Sequence, residues 1–241
     1  MDNRQNIIRI GIVFLVLIIL NNLLKNGLEG VLSGILNFTL LAIPGVFAIV
    51  LHEFAHGYVS FKLGDPLPKI SGRLSLNPLR HLDPLGTIMI FIVSIGWAKP
   101  VLIDPRYYKN RRLGEFLVAL AGPATNLALA ILSAIPLFYL PREASIFFTI
   151  LGKILMFSFQ INTALTVFNL LPIPPLDGSK LLYFFLPDSS ADVLRQYEMY
   201  GAIFMVVLVV TGYFERFLSP LLGYAQQGII WLLSRFLLNL N

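Results

Sequence analysis

Cysteine is absent from all 241 residues, which excludes disulfides and any thiolate-ligated metal. Charge is scarce as well. Asp, Glu, Lys and Arg make up 13% of the chain against 56% hydrophobic residues, about half the charged fraction of a soluble domain. No charged segment is long enough to form a separate soluble module, so a single integral membrane domain over residues 1–241 is expected. Histidine occurs only three times, so a metal site would have to be built from those three and from Asp or Glu. The net charge of +5 does not point to nucleic acid. The basic residues cluster between apolar segments, where they act as topology signals.

What remains is dominated by apolar runs near the ~20 residues that cross a bilayer. Six are expected, over residues 7–24, 36–63, 113–140, 145–171, 197–213 and 218–238, with Pro44 as a kink in the second. The fold class expected is an all-α polytopic membrane protein. The first run follows Arg4 and Arg9 but is too long for a signal-peptide core, and no small-x-small cleavage site follows it, so it reads as a retained span. With the N-terminus inside, fourteen of the 18 Lys and Arg residues fall on the inner side and four on the outer. That bias places both termini in the cytoplasm.

Two of the three histidines stand in His52-Glu53-Phe54-Ala55-His56, inside the second run. In a shuffled chain of this composition the H-E-x-x-H pattern arises about once in a thousand. One helical turn separates the histidines, so both imidazoles leave the same face with Glu53 beside them. That pattern holds zinc and sets a carboxylate next to the metal's water. Ionisable side chains inside a membrane segment are costly and mark function. The orientation puts this site near the cytoplasmic end of its helix. The plain alternative is a histidine pair satisfied by neighbouring carbonyls.

Two histidines do not complete a catalytic zinc site, which takes three protein ligands and keeps one position open. His81 is the third histidine and lies in a turn-rich context, Asn77-Pro78-Leu79-Arg80-His81, that is equally compatible with a structural role. Asp177 stands out among the acids. It follows the fourth run in Asn169-Leu170-Leu171-Pro172-Ile173-Pro174-Pro175-Leu176-Asp177-Gly178, where three prolines in four positions cannot continue a helix. Such a broken end can bring a carboxylate to a metal on a neighbouring helix, or simply stop the helix at the membrane surface.

Taken together, the two motifs resemble the site-2 protease family of intramembrane zinc metalloproteases, in its compact six-span form. That family pairs H-E-x-x-H with N-x-x-P-x-P-x-L-D-G, and Asn169, Pro172, Pro174, Leu176, Asp177 and Gly178 match every fixed position. Gly122-Pro123-Ala124-Thr125-Asn126 matches the family's G-P-x-x-N. The resemblance covers a catalytic core of about residues 36–178 and leaves 7–24, 197–213 and 218–238 peripheral. It implies one zinc per chain on His52, His56 and Asp177, with Glu53 as general base. It also implies Asn126 and Asn169 as substrate or oxyanion contacts. Its substrates are transmembrane segments of bilayer proteins, in a cell membrane of bacterial or archaeal type. The extracytoplasmic PDZ domain of many relatives has no room in the short connection 140–145. A transporter, a non-proteolytic scaffold, or a metalloprotease with a glutamate as third ligand are the alternatives. Retention of Glu53 favours catalysis over the first two.

Residues 64–110, rich in proline, are expected to form a re-entrant or β-hairpin-like loop after the metal helix. The alternating apolar residues of 70–76 suggest a short strand, and the resemblance implies that its edge could pair with an extended substrate. Residues 85–95 are apolar but too short to span, and fit either a re-entrant segment or a surface loop.

Overall fold

The computed structural model describes residues 3–83, 86, 99–141, 145–187, 190, 196 and 198–238. Its architecture is helical, with no strand among the described residues. Helix α1 runs from Asn3 to Lys62 and is interrupted at Gly27, whose φ of 66° and ψ of −170° leave the helical region. The first two expected spans are therefore joined by a break at one glycine rather than by a loop, with a φ that only glycine takes cheaply. Pro44, expected as a kink, sits inside the helix, and the non-helical φ/ψ of α1 falls at Gly27 instead.

The helical core continues with α3 (Arg111–Ala134) and α4 (Ile146–Leu170), each within a few residues of its expected span. Asn110 starts α3 by accepting the Leu113 N–H on its side chain at 3.1 Å, the ordinary role of an N-cap asparagine. The buried face of α3 recurs every fourth residue: Gly114, Val118, Gly122, Asn126, Ala130 and Ala134. Small residues at this spacing let backbones approach closely, the usual interface of membrane helices. Accordingly α3 packs against α1, α4 and α5 (Asp177–Phe185). After α5 come α6 (Glu198–Val210) and α7 (Tyr213–Leu238). Ile229, Ile230 and Leu233 of α7 pack on Ala130, Ala134 and Phe159.

Among the described residues three helical stretches are long and apolar enough to cross a membrane: Leu23–Lys62, Arg111–Phe138 and Ile146–Leu170. A fourth is added if Glu198–Leu208 and Tyr213–Leu237, bent by 91°, count as one broken span. The protein is an integral membrane protein.

The strand expected at residues 70–76 does not form. Leu67–Ile70 is instead the short helix α2, with prolines at its start. Proline's fixed φ suits a first turn, and Asp65 Oδ1 accepts the Leu67 N–H at 2.9 Å. Arg73 is buried while Ile70 and Leu76 are exposed, the reverse of a half-buried strand with its apolar face inward. The segment 85–95 lies outside the described residues except for Gly86, as do residues 96–98.

Candidate metal centre

The site is assembled from α1, α3 and the junction of α4 with α5. His52 and His56 are both buried on α1, with ring centroids 4.5 Å apart and planes at 84°. Each Nδ1 faces an atom that can only accept. His52 Nδ1 meets Asn126 Oδ1 at 2.5 Å, and His56 Nδ1 meets the Val118 carbonyl at 2.6 Å. Both Nδ1 atoms therefore carry a proton, and in a neutral ring that leaves Nε2 as a lone pair.

The Nε2 atoms point at each other, 2.9 Å apart. Asp177 Oδ2 completes a triangle at 3.3 Å from His52 Nε2 and 3.1 Å from His56 Nε2. With both rings neutral, three acceptors converge here, and the group could hold a cation at its centre. A tetrahedral zinc with bonds of about 2.0–2.1 Å sets its donors roughly 3.3 Å apart, close to the observed edges. These three side chains form the one His/Asp/Glu cluster able to hold a metal found among the described residues.

Backbone geometry keeps this triangle open. A Cβ on Gly122 would sit deep inside contact distance of both Nε2 atoms, so α3 can lie here only because that position lacks a side chain. Pro123 has no N–H for the preceding turn of the helix, beside the Val118 carbonyl that accepts from His56. On the other side, α4 stops at Leu171, and Asp177 opens α5. The Pro174–Pro175 peptide between them is cis. A Cβ on Gly178 would collide with the Leu170 and Leu171 carbonyls, so glycine lets α5 fold against the end of α4. The carboxylate is thus held on the first turn of a helix rather than on a free loop.

Glu53 borders a cavity of about 610 Å³ that also exposes His52, His56, Asp177 and Asn169. Its Oε2 accepts the Val101 N–H at 3.1 Å. Farther along, Asp65 Oδ2 accepts from Ser60 Oγ and from the Asp104 N–H, both at 2.8 Å. These two acids fasten the segment 101–104 alongside the end of α1, and Pro100 to Ile103 line the cavity. Tyr108 also lines it; burial pushes its pKa up to about 12, so its hydroxyl stays neutral at physiological pH.

The remaining expected residues separate. Asn169 borders the cavity and donates one N–H to its own helix at Leu165 O, 3.0 Å away. Asn126 does not line the cavity, and both ends of its amide are engaged. Oδ1 binds His52, while Nδ2 donates to Ala48 O at 3.3 Å and to Asn162 Oδ1 at 2.8 Å. His81 is fully buried away from the cluster, with Nε2 on the Ser75 carbonyl at 2.7 Å. The sequence reading missed Asn162 and Val101. Asn162 had one available sign: a polar residue seven positions before Asn169, hence on the same helix face. The Val101 contact is made by main chain and leaves no trace in residue identity.

Comparison with known proteins is consistent with this centre. Residues 140–212 match the profile "Peptidase family M50". The chain is 39% identical over 198 residues to "Putative zinc metalloprotease YwhC" of Bacillus subtilis, covering 80% of this chain and 90% of that protein. The chain belongs to peptidase family M50. As a member it is an intramembrane zinc metalloprotease of the site-2 type. A second relative, "Putative zinc metalloprotease Rip2" of Mycobacterium tuberculosis, is 33% identical over 208 residues, 79% of this chain and 74% of its own length. "Putative zinc metalloprotease MJ0611" of Methanocaldococcus jannaschii is 46% identical over 100 residues, 41% of this chain and 49% of its own. No solved structure is a significant match.

Proposed function

We propose that His52, His56 and Asp177 hold a single zinc and that Glu53 is the general base for hydrolysis of peptide bonds in transmembrane segments. The observation that carries this reading is the convergence of two imidazole Nε2 atoms and a carboxylate oxygen beside Glu53, in one cavity. A zinc held by His52, His56 and Asp177 would supply Lewis-acid polarisation of the scissile carbonyl and a more acidic water. Glu53 takes the proton of the attacking water on its carboxylate and returns it to the leaving amine. Asn169, facing the same cavity, donates a hydrogen bond to the oxygen that gains charge. Asn126 supports the reaction at one remove, through its bond to His52.

The substrate is a membrane helix, whose carbonyls are tied up in i→i−4 bonds and must be freed by local unwinding. Each polar group freed in hydrocarbon costs several kcal/mol. The cavity-lining backbone of Pro100 to Ile103 is the place where an extended substrate strand would regain part of that cost. It takes over the role expected for residues 70–76. The distribution of Lys and Arg supports a six-span topology with both termini in the cytoplasm, a core of about residues 36–178, and cleavage near the cytoplasmic face. Single-pass proteins and remnant signal peptides fit such a site.

Cleavage of a single-pass transmembrane substrate in detergent, by the wild-type chain and by Glu53→Gln, tests the proposal. The expected result is cleavage by the first alone, at equal zinc content; equal cleavage by both contradicts it.

A further inference from the structure

A buried amide can present either end to a neighbour until a partner of fixed polarity orients it. On α4 the main-chain carbonyl of Ser158 accepts from Asn162 Nδ2 at 2.8 Å. A carbonyl cannot donate, so the nitrogen of Asn162 is confined to that side and its oxygen points away. That oxygen accepts from Asn126 Nδ2 at 2.8 Å, and Ala48 O accepts from the same nitrogen at 3.3 Å. Asn126 Oδ1 is left facing His52 Nδ1. Asn126 is 0% exposed and Asn162 2%, so bulk water does not compete for these bonds. One polarity thus runs from a backbone carbonyl of α4, through two amides, to an imidazole of α1.

We propose that Asn162 is a positioning residue for the metal centre. By accepting from Asn126 Nδ2 it keeps the Asn126 oxygen toward His52, so that His52 carries its proton on Nδ1 and offers Nε2 as a lone pair. This rests on the reading of His52 as a zinc ligand. With the Asn126 amide reversed, an NH₂ group would face Nδ1, the proton would move to Nε2, and His52 could no longer ligate in this orientation. A carboxylate at position 126 would need no such orientation, because both of its oxygens accept. That difference separates positioning from packing.

The test uses the full chain in detergent, with zinc affinity measured by competition against a chromophoric chelator. With only three histidines in the chain, ¹⁵N-histidine labelling reads the His52 ring directly. Asn162→Leu is expected to weaken zinc binding about 10-fold and to shift the hydrogen-bonded Nδ1–H signal of His52. Adding Asn126→Asp to Asn162→Leu is expected to restore both. Wild-type affinity together with an unshifted His52 signal in Asn162→Leu would overturn the proposal. Lost affinity that Asn126→Asp fails to restore would also overturn it, and would mark Asn162 as a packing residue. The His52→Ala variant tests the underlying reading separately: full zinc affinity there means His52 is no ligand, and the positioning role falls with it.

Discussion

The main-chain N–H of Val101 donates to Glu53 Oε2 across 48 positions of sequence, at 3.1 Å. It holds the carboxylate on the wall of the cavity that His52, His56 and Asp177 share. A glutamine at position 53 keeps an oxygen for that bond, so Glu53→Gln should leave the fold and the zinc content unchanged. Peptide cleavage should fall by about 10²–10⁴, the usual contribution of a general base. Single-turnover kinetics on protein of matched zinc content checks this.

Gly122→Ala should be far more damaging than its size suggests. The added methyl would enter the space between the two Nε2 atoms, so α3 must shift or the triangle must open. Elemental analysis of the purified variant should find less than a tenth of the wild-type zinc, about a 10-fold loss of occupancy or more.

Asn169→Ala should leave zinc in place and lower kcat by about 10², with little change in KM. That is the pattern of an interaction made mainly in the transition state. A rise in KM alone would instead assign Asn169 to ground-state binding.

His81→Ala should keep full zinc content, since His81 lies outside the cluster. It should cost stability, because the Ser75 carbonyl loses its buried donor, a penalty of about 1–3 kcal/mol. The apparent thermal midpoint of the detergent-solubilised protein, scanned at one rate for both forms, reads this loss.

Much of this was legible in the sequence because its causes are local. The apolar runs of α3 and α4, the proline-broken end of α4, and the one-turn spacing of His52 and His56 each follow from residue type and period. Joining Asp177 to the histidines needed the motif resemblance, since spacing alone left a surface helix stop open. What escaped was set by tertiary contact or by main chain. Alternation in 70–76 resembled a strand, but the prolines before it and the Asp65 carboxylate start a helical turn instead. Asn126 was expected at the substrate, yet its amide is consumed by His52 and Asn162 because three helices meet there. Gly27 breaks α1 with no other sequence sign than being glycine.

The central claim is that His52, His56 and Asp177 together hold one zinc, and X-ray absorption at the zinc edge tests it most directly. The wild-type chain should carry one zinc with two imidazole nitrogens and a carboxylate oxygen at about 2.0–2.2 Å. Asp177→Ala should lose most of the metal, and any residual zinc should lack the carboxylate. An unchanged zinc content and spectrum in Asp177→Ala would contradict the account.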